Sequence, residues 1–226
     1  PSIDQIKKTV LGAHERIYQR AQGSAECAGM GTTLSMLCRG AGYIYIAHVG
    51  DSRIYRLRGG RMEQLTQDHS LVGELVRAGI LTAEEARTHP RRNIITRALG
   101  TEGDNTPDLL AADLQPGDRF LLCTDGLTGM TRDDEIEKTL LDSQTADEAA
   151  DRLIQMALDA GGSDNVTLIL CTGEEGGYMT GRSYADSPDI DGTVYFEGDC
   201  EPGEFAEVLI TGVMDGELVG KIAEEN

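Results

Sequence analysis

Tryptophan is absent from the 226 residues, and aromatic side chains make up only 4% of them. The core must therefore be built from aliphatic residues, for which a hydrophobic content of 39% is sufficient. No apolar run approaches the length that crosses a bilayer, which argues against a helical membrane span. No charged, apolar, small-residue leader opens the chain, and its first residue is Pro1 rather than Met. The chain thus reads as a fragment of a cytoplasmic protein, from which a targeting signal could be missing. Cys-x-x-Cys is absent too. The five cysteines, Cys27, Cys38, Cys123, Cys171 and Cys200, are odd in number and widely spaced, which argues for reduced thiols and against zinc. Basic residues are scarce, 20 against 39 acidic ones, for a net charge of -19. That balance disfavours nonspecific binding to nucleic acid or to an anionic membrane. The charge is uneven, and about half of it falls after Gly177.

Periodicity predicts an amphipathic helix over Ile3 to Gln22. Strands follow at Thr32 to Cys38, Gly42 to Val49, Arg53 to Arg58 and Arg61 to Leu65, where β-branched and aromatic residues concentrate between glycine breaks. These four read as an antiparallel meander. Ser70 caps a helix that Gly79 stops, and Thr82 with Glu85 forms a capping box for another. Pro107 to Leu114 reads as an outer strand, and Arg119 to Cys123 as a buried one. Helices follow from Thr131 to Leu141 and from Thr145 to Ala160, then a buried strand from Asn165 to Cys171. The expected class is α+β, with sheets packed under helices. Gly173 to Gly177 is a linker by composition. Beyond it, Gly192 to Phe196, Phe205 to Thr211 and Glu217 to Ile222 form three strands of a small all-β unit.

Asp51, Asp125 and Asp164 share one context. Each sits at the edge of a predicted buried strand beside Gly, Ser or Asn. Carboxylates so placed suit a hard cation such as Mg2+ or Mn2+, and a metal pair could clamp a phosphate. The same three residues also read as turn aspartates, since Asp-Gly is ordinary turn chemistry. His14 reads as a surface residue, His48 as a hydrogen-bonded core side chain, and His69 as part of a helix start. Arg91, Arg92 and Arg97 could meet phosphate or sit in surface ion pairs. There is no Gly-x-Ser-x-Gly elbow to support a Ser/His/Asp triad.

Gly29-Met-Gly-Thr-Thr33, Val49-Gly-Asp-Ser-Arg53, Leu65-Thr-Gln-Asp-His-Ser70, Arg97-Ala-Leu-Gly100, Leu122-Cys-Thr-Asp-Gly-Leu127 and Gly162-Ser-Asp-Asn-Val-Thr167 occur in that order. Together they resemble the bacterial metal-dependent type 2C (PPM) serine/threonine protein phosphatases, over residues 1–172. The resemblance implies a sandwich of two antiparallel sheets flanked by helices. It implies hydrolysis of phosphoserine and phosphothreonine at two core Mn2+ or Mg2+ ions. Asp125 and Asp164 would be ligands of one core metal, and Asp51 would hold a third, with Asn93 nearby. Residues from Leu71 to about His89 would form a flap beside the site. It further implies that the family's phosphate-binding Arg, metal-bridging carboxylate and general-acid His precede Pro1. Little phosphatase activity is then expected from this polypeptide alone.

Gly181-Arg-Ser-Tyr-Ala-Asp-Ser-Pro-Asp-Ile-Asp-Gly-Thr-Val-Tyr-Phe196, Pro202-Gly-Glu-Phe205 and Asp215-Gly-Glu-Leu-Val-Gly220 resemble the C-terminal TRAM domain of radical methylthiotransferases. This implies a small OB-like barrel over residues 181–226, joined through a linker at residues 173–180. Its acidity suits a basic or ribosomal protein partner. Two other readings stay open. The chain could be a non-catalytic phosphatase-like scaffold carrying a substrate-binding module, or the join between the two segments could be artificial.

Overall fold

A computed structural model describes residues 2–40, 42–173, 179–185, 194–197, 208–214 and 217–222, with side chains described as far as Cys171. Contacts divide the chain into two units, Pro1–Tyr184 and Ala185–Asn226.

The first unit opens with α1 (Ile3–Gly23), whose Ser2 cap and Gln5 form a reciprocal capping box. Next come β1 (Leu34–Arg39), β2 (Tyr43–Val49), β3 (Arg53–Arg58) and β4 (Arg61–Gln64). The short helices α2 (Leu71–Arg77) and α3 (Ala83–Thr88) begin at Ser70 and Thr82, each of which accepts a backbone N–H as predicted. β5 (Asp108–Asp113) and β6 (Arg119–Cys123) lead into α4 (Asp125–Thr128), α5 (Asp133–Asp142) and α6 (Ala146–Asp159). β7 (Thr167–Gly173) follows, then β8 (Met179–Ala185), all but the last residue of which belongs to this unit.

The strands form two sheets, ordered β1-β2-β5 and β4-β3-β6-β7-β8. The pairs β1/β2, β2/β5, β3/β4, β3/β6 and β6/β7 are all antiparallel. The predicted meander is therefore corrected: β2 and β3 lie in different sheets, and the chain changes sheet at Gly50-Asp51-Ser52. Local strand signals report where strands begin and end, and carry no information on which partner each one takes. Residues 179–185, placed partly in a linker and partly in the barrel from sequence, hydrogen-bond beside β7 as β8. Residues 174–178 lie outside the described residues.

Three apolar layers hold the first unit together. Ile6 and Val10 of α1 pack on Ala47 and Val49 of β2. Ile44 and Ile46 of one sheet meet Ile54 and Phe120 of the other. The opposite face of the larger sheet, with Tyr55, Leu57, Leu121, Leu168 and Leu170, packs on Ile136, Leu140, Leu153 and Ala157 of α5 and α6. Alternate residues of β3 thus face alternate layers, as the strand period of two requires. The order of layers is helix, sheet, sheet, helix. Cys27, Cys38, Cys123 and Cys171 are free thiols; Cys200 lies outside the described residues. Among the described residues no helix is long and apolar enough to cross a membrane.

In the second unit, β9 (Val194–Glu197), β10 (Val208–Met214) and β11 (Glu217–Ile222) form one sheet. Its order is β10-β11-β9, antiparallel between β10 and β11 and parallel between β11 and β9.

Candidate metal centre and active site

Register brings the three aspartates together. Arg53 of β3 pairs with Cys123 of β6, and Cys123 pairs with Leu168 of β7. Asp51 lies just before β3, Asp125 just after β6 and Asp164 just before β7, so all three leave the same end of adjacent strands. They line one cavity of about 610 Å3, together with Arg53, Asp68 and Asn93.

Thr124 locks the β6–α4 corner to the approach of β7. Its N–H donates to the Thr167 carbonyl at 3.0 Å. Its hydroxyl donates to the Asn165 carbonyl at 3.2 Å and accepts the Thr167 N–H at 3.1 Å. The Asp125-Gly126 step, read first as a turn, is the opening of α4. Gly126 is required there because the Asn165 carbonyl occupies the place of a Cβ, with the backbone carbon of that carbonyl only 2.8 Å from it. Asp125 and Asp164 are thus carried on two segments in backbone contact.

The electrostatics show what the cavity lacks. Desolvation, then the charges of Asp125 and Asp68, push the Asp51 carboxyl up to about 6. Desolvation and then the charge of Asp164 push Asp125 up as well. Asp68, by contrast, is paired: Arg53 Nε donates to its Oδ1 at 2.9 Å and Arg53 Nη2 to its Oδ2 at 2.8 Å. Arg53 Nη1 also donates to the Tyr55 hydroxyl at 2.9 Å, and that hydroxyl donates to Asp133 at 3.0 Å. Arg53 is held in the cavity wall by these bonds. Its charge offsets that of Asp68 in part, and Asp68 still adds to the upward push on Asp51 and Asp125.

Mutual repulsion among oxygen donors is the deficit that a divalent cation removes, and Mg2+ or Mn2+ binds through one or two carboxylates while keeping waters. The residues present fit such an ion. They fit as a partial donor set: among the described residues, no three His, Cys, Asp or Glu side chains group tightly enough to hold a metal ion.

Other sequence readings fare unevenly. His48 is the buried, hydrogen-bonded side chain expected, between the Ser35 hydroxyl at 2.9 Å and the Gln67 carbonyl at 3.1 Å. Burial, then the neighbouring His69, lowers its pKa to about 4. His14 is corrected from a surface residue to a half-buried one whose Nδ1 accepts the Gly100 N–H at 3.0 Å. Arg97 is paired with Asp108 at 2.9 Å. Arg92 and Asn93 line the cavity. Sequence reasoning missed the Arg53–Asp68 pair and the buried setting of His69. The polar run Gln67-Asp68-His69-Ser70, directly after a strand, was the signal available for both.

A family model of protein phosphatase 2C matches residues 2–170, and a model of the TRAM domain matches residues 165–223. The chain belongs to the protein phosphatase 2C family. The serine/threonine phosphatase stp of Listeria innocua is 43% identical over 165 residues, which are 73% of this chain and 66% of that protein. The chain thus spans a little less than two thirds of that relative's length. The structure of the serine/threonine phosphatase Stp1 from Staphylococcus aureus superposes with a TM-score of 0.72 at 40% identity, covering 76% of this chain and 68% of the other. The catalytic domain of the serine/threonine phosphatase PstP in complex with two manganese ions gives a TM-score of 0.67 at 35% identity, covering 75% and 71%.

Proposed function

We propose that this chain is part of a metal-dependent phosphatase that hydrolyses phosphoserine and phosphothreonine on proteins. The observation that carries the reading is the convergence of Asp51, Asp125 and Asp164, from the ends of β3, β6 and β7, on one cavity, with the carboxyl groups of Asp51 and Asp125 shifted upward. Asp125 and Asp164 hold one core Mn2+ or Mg2+, and Asp51 holds a further ion with Asn93 close by. When bound, such ions supply Lewis-acid charge toward phosphoryl oxygens. The chain's own residues do the rest: Thr124 and Gly126 hold the two carboxylates at a fixed spacing, and Arg53 pins Asp68 in the cavity wall beside them. The substrates are phosphoproteins made by a bacterial serine/threonine kinase, in the cytoplasm. The acidic TRAM-like segment recognises a basic partner, of which a ribosomal protein is one kind.

A second reading, a phosphatase-like binding module with little turnover, is favoured by the lack of a three-ligand group among the described residues. One experiment addresses both. The 226-residue chain is titrated with Mn2+ by calorimetry and assayed on a phosphothreonine peptide. Saturable Mn2+ binding that Asp125→Asn weakens by about tenfold or more supports the metal centre. Mn2+-dependent release of phosphate, lost in the same variant, supports the phosphatase. Binding without release favours the module, and the absence of binding sinks the metal centre and with it the phosphatase reading.

A further inference from the structure

Asp51 follows a glycine whose backbone N–H and carbonyl are both held by a single residue. The N–H of Gly50 donates to Nδ1 of His69 at 3.1 Å. The N–H of His69 donates back to the Gly50 carbonyl at 2.7 Å. That carbonyl lies in the same planar unit as the N–H of Asp51, so its direction sets how the Asp51 side chain leaves the backbone. Gly50 itself lies at φ +115°, and Thr33 fills the space where a Cβ would stand, so this conformation belongs to glycine.

The His69 ring is fixed in turn. To accept at Nδ1 it must carry its proton on Nε2, and Nε2 lies 3.0 Å from Asp108 Oδ2. Arg97 donates to Asp108 Oδ1 at 2.9 Å. The His69 side chain is 3% exposed, and it is not among the residues that line the cavity. It therefore acts on the cavity through Gly50. The arrangement has the logic of an outer layer that orients a metal-binding group.

We propose that His69, oriented by Asp108, is a positioning residue that sets the Asp51 carboxylate toward a divalent cation. The proposal rests on the reading of Asp51 as a cation ligand.

Residue-resolved NMR of the full chain tests it without any turnover. In the metal-free protein, His69→Leu is expected to speed hydrogen exchange of the Gly50 amide by about tenfold, the scale of one lost hydrogen bond. His69→Asn, whose carbonyl oxygen can accept in place of Nδ1, is expected to restore slow exchange. In a Mg2+ titration followed by amide shifts, His69→Leu is expected to raise the midpoint at Asp51 by about tenfold and to leave that at Asp164 within about twofold, with His69→Asn close to the parent. Asp108→Ala, at a half-exposed position, gives a smaller change of the same sign and serves should the leucine variant not fold. Unchanged Gly50 exchange in His69→Leu, or midpoints at Asp51 and Asp164 that rise in parallel, would overturn the positioning role. A parent chain whose Asp51 amide ignores Mg2+ refutes the ligand reading itself. The exchange data separate that failure from a failure of the His69 clamp.

Discussion

Strands β3 and β6 carry carboxylates at both ends, and the two ends are treated in opposite ways. At one end Asp118 precedes β6 and meets Arg58 of β3, which donates to both its oxygens at 2.6 Å. Burial works against the Asp118 charge, but the Arg58 hydrogen bonds, the Gln115 N–H and the charges of Arg58 and Arg56 together outweigh it and hold the carboxyl below its ordinary range. Asp113, at the end of β5, joins the same arginine at 3.0 Å. At the other end Asp51 and Asp125 face one another across the cavity, and both are pushed up. The nearby arginine, Arg53, is already committed to Asp68. The same two strands therefore display a carboxylate that is finished and carboxylates that are not. The unfinished end is the one that gains from a cation, and a stability cost accepted there is what a binding site looks like before its ligand arrives.

The contrast is broken most severely at Gly126. A methyl at this position overlaps the Asn165 carbonyl, so Gly126→Ala must part the segments that carry Asp125 and Asp164. Overpacking of this kind costs about 3 kcal/mol, and we expect Mn2+ binding to fall with it. Chemical denaturation and calorimetry on the same sample read both effects. A variant that loses stability yet keeps its Mn2+ affinity would separate the backbone contact from the metal centre.

Asp118→Ala attacks the finished end. It takes from Arg58 its buried partner, a carboxylate side chain only 1% exposed, leaves it Asp113 alone, and is expected to cost about 2 kcal/mol. Mn2+ binding should stay unchanged, because the damage lies at the opposite end of β3 and β6. In the parent, the lowered Asp118 pKa stabilises the fold above the ordinary carboxylate range. That contribution is lost as pH falls through the folded-state value. Stabilities of parent and variant, measured by chemical denaturation at a series of pH values, should therefore draw closer as pH falls.

These two ends were not equally legible in the sequence. Asp51, Asp125 and Asp164 could be picked out because each sits at the edge of a strand beside a small residue, and that is a local property. Their convergence needed the register of β3, β6 and β7, which strand propensity does not encode. The same limit explains the meander. Gly50 shows up as a break, but nothing local says that the chain crosses there to a second sheet. Arg58 and Asp118 lie 60 positions apart, and His69 and Asp108 lie 39 apart; such pairs become visible only once the sheets are assembled. The helices capped by Ser70, Thr82 and Thr145 were legible, since a cap acts within one turn; the first helix was legible from its periodicity, without its Ser2 cap.

A smaller effect, of opposite sign, is expected at the unfinished end. The folded state holds the Asp51 proton up to about pH 6, whereas an ordinary Asp releases it near 3.8. The folded state thus binds more protons than the unfolded chain across that interval, and stability declines as pH rises through it. Asp51→Asn removes the penalty. We expect the metal-free Tm to rise by about 2 °C at pH 7.5 and to match the parent at pH 4. Saturating Mg2+ should erase the gain, because the cation supplies to the parent what the substitution supplies without it. A drop in metal-free Tm at pH 7.5 would mean that Asp51 is a structural turn residue after all.

The smallest effect tests whether pairing or burial separates the two ends. Glu84 of α3 meets Arg132 at 2.7 Å, as close as many of the buried pairs, but both side chains are more than half exposed. Water already solvates each charge, and holding two long side chains in one geometry offsets much of the attraction. Glu84→Gln is therefore expected to change stability by no more than about 0.5 kcal/mol, and by less as salt is raised. Asp118→Ala, measured beside it, should exceed it severalfold at equal donor–acceptor distance. If the two variants proved equally costly, close contact alone would account for the finished end. The upward shifts at Asp51 and Asp125 would then have to be explained without appeal to what burial does to an unpaired charge.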